Sequence, residues 1–254
     1  MKFHTKANGK LLSPRRSVIE QLRLRQSFER RLYSQLLTFF ASVGQTASQE
    51  VITGQIRLLQ LENQLSQILL PHYRAVINTM ASRFVFVKEE TDFERFVRQY
   101  IALHAGIKIT QISNTTRSII NKIILDSELE GIGVQETATR IIERTKPSFT
   151  RVRSALIART ETHMASSFAN QVMAESFNVP MQKRWVSVND NRTRKHHRAM
   201  NGTTIDIEDD FIIFYNGVEY RMKHAGDPRG GPANIINCRC VILYLEPEDK
   251  IVGE

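Results

Sequence analysis

Cys238 and Cys240 flank Arg239 near one end of a 254-residue chain and are its only cysteines. Upstream, Asp190, Arg192, Arg194, His196 and His197 lie close together, as do Arg159, Thr160, Glu161 and His163. Thiolate and imidazole are good zinc ligands. His197 (or His196) with Cys238 and Cys240 supplies three donors, and Asp190 or His224 a fourth. A small irregular domain also gains stability from a metal staple. The spacing argues the other way, because a single Cys-x-Cys pair is not zinc-finger spacing. The plainer reading has no cofactor: two small apolar thiols, at least one buried under a final strand.

The same residues suggest a second chemistry. His197, Asp190 and Glu161 are types that perform general acid–base work in hydrolases and nucleases. The chain carries no nucleophile motif and no phosphate-binding glycine loop. Its run Gly226–Gly231 is interrupted by Asp227, Pro228 and Arg229 and reads as a turn. The reading preferred is a polar network, since charged groups are buried only when paired. In it, Arg159 and Glu161 pair with Asp190, Arg194 or backbone and hold a helix to a sheet. No catalytic residue is assigned. Asn237 reads as a turn residue and Trp185, the single tryptophan, as core.

The elements that must position these residues fall into two textures. From about 14 to 178 apolar residues recur at helical spacing. Pro14 suits a helix start. Val18, Leu22, Phe28, Leu32, Leu36, Phe39 and Phe40 follow it, and Gly44 is a plausible stop. Thr46–Gln49 has capping-box form and predicts a second helix, with Ile52, Ile56, Leu59, Asn63, Ile68 and Leu69 as its seam and Pro71 as a kink or restart. Thr91–Glu94 is a further capping box, opening a helix to about Leu103. Another helix runs from Thr110 to about Glu130, a shorter one from Val134 to Arg144, and a long one from Phe149 to Phe177. After Asn178-Val179-Pro180 strand signals take over at Lys183–Val188, Phe211–Phe214, Val218–Met222 and Val241–Leu245. Asn216-Gly217 marks a hairpin, because both residues accept positive φ. The expected fold class is α+β: an elongated, mainly α-helical N-terminal part, then a small α+β domain with an antiparallel sheet against which the Arg159–Phe177 helix packs. The expected division is a basic segment over 1–31, a helical region over 14–108 and a C-terminal domain over 109–248.

At 41% hydrophobic residues the chain has enough apolar surface for a real core. Its formal net charge is +9, of which residues 1–31 carry +7. Lys2, Lys6, Lys10, Arg15, Arg16, Arg23 and Arg25 are therefore the candidate contacts to a DNA backbone. Clustered Lys and Arg supply phosphate affinity without sequence readout. The alternative for this segment is a solvated tail leading into a charged helix face. No apolar stretch has the form of a signal peptide or a membrane span, and two cysteines make no disulfide framework. These features fit a soluble protein made in a reducing cytoplasm.

Taken in order, Ala158-Arg159-Thr160-Glu161, then Asp190-x-Arg192-x-Arg194-x-x-His197, Gly202, Phe211 and Asn237-Cys238-Arg239-Cys240 resemble the phage Mu protein F-like head-morphogenesis family. The resemblance covers about 110–245, and Ile112–Thr116 and Gly131–Val134 resemble its upstream segment. It implies a minor head protein of a tailed phage, placed inside the head near the portal vertex after assembly in the host cytoplasm. It further implies action in head assembly and in DNA packaging or ejection. The implied partners are the portal protein and genomic DNA, with the major capsid or scaffolding protein and self-association as further contacts, and no membrane in the assembled head. Arg159, Glu161, Asp190, Arg194, His197, Asn237, Cys238 and Cys240 match the family motif as positions, without an implied catalytic role. The Gly-Pro-rich stretch before Asn237 departs from the usual loop. Two other readings compete with this one. The first is a phage-associated nuclease or ADP-ribosyltransferase-like enzyme using His197 and Glu161, although with the chain ending at Glu254 no appended toxin domain is expected. The second is a DNA-binding module acting through the basic N-terminus.

Overall fold

A computed structural model describes residues 6–7, 10–11, 14–58, 60–84, 90–177 and 179–245, with side chains from 16 onward except 90–92. Two short strands, β1 (Lys6–Ala7) and β2 (Lys10–Leu11), pair antiparallel. Helices follow: α1 (Pro14–Thr53), α2 (Leu61–Ala81), α3 (Glu90–Tyr100), a π-helical turn Ile101–Ala105, α4 (Gly106–Leu129), α5 (Val134–Thr145) and α6 (Pro147–Glu175). The remainder holds β3 (Gln182–Val186), α7 (Lys195–Ala199), β4 (Thr204–Asp206), β5 (Phe211–Tyr215), β6 (Val218–Met222), a 3₁₀ turn Pro228–Gly230, α8 (Gly231–Ile235) and β7 (Val241–Leu245). The fold class is α+β, as expected.

The chain forms two compact units, neither a continuous run. One comprises 1–28, 73–100 and 159–254, the other 29–72 and 101–158.

The second unit is helical. Leu32, Leu36, Phe40, Val43 and Ala47 of α1 recur at three- and four-residue spacing and are all fully or nearly fully buried. Helix α1 does not stop at Gly44. A Cβ there would lie 1.7 Å from Thr145 Oγ1, so this glycine serves close packing against the end of α5. The 46–49 segment is consequently mid-helix and caps nothing. The expected seam is also corrected. Ile52 and Ile56 are exposed, Leu69 is buried as expected, and Leu61 and Leu65 of α2 are buried as well. Leu59 lies outside the described residues, as do the side chains of Thr91 and Asp92. Pro71 sits within α2, which continues past it. The α1–α2 loop is held by the Glu50 carboxylate, which accepts from the Arg57 and Leu58 amides at 2.9 and 3.0 Å. The Arg153 guanidinium stacks 4.5 Å from the Phe40 ring and donates to Ile112 O and Thr116 Oγ1 at 3.0 and 2.9 Å. Its half-buried charge thus meets both acceptors and a π face.

The first unit contains the sheets. β3 lies between β4 and β7 in an antiparallel sheet, with Trp185 opposite Ile242, and β5 and β6 form a separate hairpin. That hairpin turns on Asn216 and Gly217 at φ 50° and 75°, as the sequence predicts. Trp185, Phe211, Ile213, Met222, Ile242 and both cysteines form one core with Met164 of α6. The expected packing of this helix against the sheet is observed. The Gly226–Gly231 run turns as expected, through the 3₁₀ turn Pro228–Gly230, and α8 follows it with Pro232 in the first turn of the helix, where its missing N–H is tolerated.

Candidate functional site

The turn after β3 begins the site. Asp190 Oδ1 accepts from the Arg192 amide at 3.1 Å and the Thr193 hydroxyl at 3.0 Å, the local bonding that makes aspartate a turn residue. Helix α7 follows at once and carries His196 and His197. Asp190 also reaches across the sequence, where both its oxygens receive the Arg239 guanidinium at 2.7 Å. That fork is the chief reason its carboxyl is held well below the usual carboxylate range.

The segment 236–240 is tied down residue by residue. Ile236 O accepts from Arg194 Nη2 at 2.6 Å. Asn237 has φ 61°, its amide donates to Thr160 Oγ1 at 3.0 Å, and its side-chain oxygen accepts from Arg159. Cys240 O accepts from His163 Nε2 at 2.8 Å and Arg25 Nη1 at 3.2 Å, and Arg239 O from Arg25 Nη2 at 3.0 Å. The expected network exists with different pairings. Arg159 meets Asn237, and Asp190 meets Arg239. Glu161 is buried in a separate setting, where its carboxylate accepts from Tyr73 Oη at 2.8 Å. Tyr73 in turn packs edge-on against Tyr100.

These ties bring His197, Cys238 and Cys240 together, all buried. Both sulfurs lie 3.6 Å from His197 Nδ1, and the three ligand atoms are all within 4.8 Å of one another. His197 Nε2 faces Asn234 Oδ1 at 3.3 Å. The Asn234 amide is itself oriented, because its Nδ2 donates to Gly230 O at 2.8 Å. The imidazole also stands edge-on to Trp185 with centroids 5.4 Å apart. Cys240 hydrogen-bonds to Cys238, which pulls Cys238 well below its usual thiol range and pushes Cys240 up. A cleft lined by Val188, Arg192, Thr193, Arg194, Asn237 and Arg239 opens onto these three residues.

The two alternative fourth ligands are engaged elsewhere: Asp190 by Arg239, and His224 by Ala225 O, 3.1 Å from its Nδ1. His196 stands beside the cluster, its ring between His197 and Tyr215. Asn234 is a contributor that sequence reasoning missed, and Arg25 and His163, both noted in the sequence, take roles it did not assign. Arg25 lies 215 positions from Cys240, and no local pattern links them. Arg25 was expected among the DNA contacts. It is instead buried, with its guanidinium turned to backbone carbonyls. Arg16 and Arg23 are exposed, whereas Lys2 and the side chains of Lys6, Lys10 and Arg15 lie outside the described residues.

Residues 102–243 match the family described as phage Mu protein F like protein. The chain belongs to that family. Every residue of the His197–Cys238–Cys240 cluster lies within the Mu F-like segment, as do Asp190, Asn234 and Arg239, whereas Arg25 lies before it. This Mu F-like chain is 32% identical over 132 residues to the minor head protein GP7 of Bacillus phage SPP1, covering 50% of the chain and 41% of GP7. It is 30% identical over 138 residues to the NAD(+)–arginine ADP-ribosyltransferase EFV of Enterococcus faecalis, covering 52% of the chain and 25% of that protein. It is 26% identical over 145 residues to the uncharacterized protein YqbB of Bacillus subtilis, covering 53% and 46%. The chain thus spans less than half the length of each of these relatives. No solved structure matches it.

Proposed function

We propose that this Mu F-like chain is a minor structural protein of a tailed-phage head, associated with the portal vertex and acting in head assembly and in DNA packaging or ejection. The observation that carries the reading is the family match over 102–243, together with the similarity to a minor head protein. The site geometry supports it. Arg159, Asp190, Arg194 and Arg239 act as ties that hold a turn, a short helix and a pre-strand segment in register. Portal protein and genomic DNA are the proposed partners, with capsid or scaffolding protein and self-association as further contacts. Among the described residues no helix is long and apolar enough to cross a membrane.

The test is direct. Purified virions and proheads are analysed for the chain by mass spectrometry, and tagged chain is used to capture portal protein from infected cells. Presence in heads and capture of portal support the reading. Absence from both particles together with no portal capture overturns it.

The enzymatic reading has one observation in its favour, the similarity to EFV, which involves only a quarter of that protein. Turnover of labelled nicotinamide dinucleotide, DNA or RNA by the purified chain, lost in both Glu161→Ala and His197→Ala, would establish it. Equal turnover in both variants would remove these two residues from it.

A further inference from the structure

We propose that His197 Nδ1, Cys238 Sγ and Cys240 Sγ bind a zinc ion whose fourth coordination position opens onto the cleft lined by Arg192, Arg194 and Arg239. Two equal distances point to the ion. Zinc–sulfur and zinc–nitrogen bonds of about 2.3 and about 2.0–2.1 Å at tetrahedral angles put S and N about 3.6 Å apart. Both sulfurs lie 3.6 Å from Nδ1. A hydrogen-bonding account fits this arrangement poorly. A neutral imidazole nitrogen offers one in-plane lone pair, and here two thiols converge on it.

The state of the ring is also right. Asn234 is locked by its bond to Gly230 O, so its carbonyl oxygen must face His197 Nε2 and accept the proton there. The Nδ1 lone pair is thereby left free. A partner that fixes the tautomer through the other ring nitrogen is the usual companion of a metal-binding histidine. The sulfurs are preset as well. Arg25 and His163 hold Cys240 O, Arg25 and Asp190 hold Arg239, and Thr160 holds the Asn237 amide. Two thiolates and one divalent ion sum to zero, the condition under which a buried charged cluster is tolerated.

The described His, Cys, Asp and Glu side chains add no fourth member to the group. Water from the cleft completes the tetrahedron. Cys-x-Cys spacing, which spoke against a zinc finger, is no obstacle here, because the third ligand arrives from a helix 41 residues earlier.

The chain's two cysteines make the experiment specific. Full-length protein is purified under reducing conditions and its metal content measured. Cobalt is then substituted and the absorption spectrum recorded. About one zinc per chain is expected, with a thiolate-to-cobalt charge-transfer band and intense visible bands of a tetrahedral site. That band can come only from Cys238 and Cys240. Asn234→Ala keeps all three ligands and should weaken zinc binding about 10–100-fold. The proposal is overturned by a chain that is folded by circular dichroism yet holds no zinc and gives no cobalt–thiolate band. It is equally overturned if a folded Cys240→Ser chain retains zinc at the parent stoichiometry. If Cys240→Ser does not fold, the cobalt spectrum of the parent decides. Unchanged affinity in Asn234→Ala overturns the part assigned to Asn234.

Discussion

At the scale of single residues, ionisable groups make stability respond to acid in two separate windows. Burial pushes His224 down to about 4, with Asp227 opposing and His163 and Lys183 adding to the effect. The unfolded histidine titrates near about 6.5. A base held neutral by the fold contributes stability above about 6.5, and that contribution is lost as pH falls from there toward 4. By linkage it is on the order of 3 kcal/mol. In His224→Gln, chemical denaturation between pH 7 and 4.5 should therefore show a shallower loss than in the parent. His72, also pushed to about 4 by burial, keeps its own share in that variant. Asp190 acts lower. Its carboxyl is depressed by the Arg239 fork, so its contribution persists until pH falls below about 4. Arg239→Lys keeps the charge but loses the two-pronged geometry. It should reduce stability at pH 7 and narrow the difference from the parent near pH 3, as followed by thermal melts. A variant that is as stable as the parent at pH 7 would show that the fork contributes nothing.

At the scale of elements, Gly44 shows how packing overrides propensity. Alanine is the better helix former by about 1 kcal/mol. Here its Cβ would lie 1.7 Å from Thr145 Oγ1 and 2.6 Å from Thr145 Cβ. Gly44→Ala should therefore destabilise, by about 1–3 kcal/mol as for overpacked cores. Combined with Thr145→Gly, the loss should be smaller than the sum of the two single losses. Additive losses would place the cause elsewhere. Gly226 is a parallel case in the other unit: it combines φ 85° with a Cβ position 2.4 Å from His163 Nδ1. Gly226→Ala should displace the imidazole whose Nε2 holds Cys240 O and should lower melting temperature by several degrees.

At the scale of the whole chain, the basic N-terminus divides into two parts. From Ser17 onward the helix has a buried face, with Gln21, Arg25 and Phe28 inside it. A deletion of 1–31 would remove part of a core together with the charges. The cleaner DNA test replaces Lys2, Lys6, Lys10, Arg15 and Arg16 by Gln. If these residues neutralise phosphates, affinity should fall and the slope of log K against log salt should flatten by about 0.9 for each phosphate left unpaired. An unchanged slope would exclude them. Much of the architecture was legible in the sequence. Helical spacing marked α1, α4, α5 and α6, and β-branched and aromatic runs marked β3, β5, β6 and β7. Asn216-Gly217 marked the hairpin, because these signals are local and follow from backbone periodicity and turn chemistry. The residue types of the site were legible for the same reason, and so was their resemblance to a known motif order. Which atoms meet was not. Gly44 carries the same letter whether it ends a helix or admits Thr145, and Arg25 reads as a surface charge until Cys240 O is placed beside it. Asp190 faces Arg239 and Glu161 faces Tyr73 because of packing between positions 49 and 88 residues apart. The sequence determined the elements and the chemical inventory. The convergence of His197, Cys238 and Cys240 on one point was decided by tertiary structure alone, since long-range packing leaves no periodic trace along the chain.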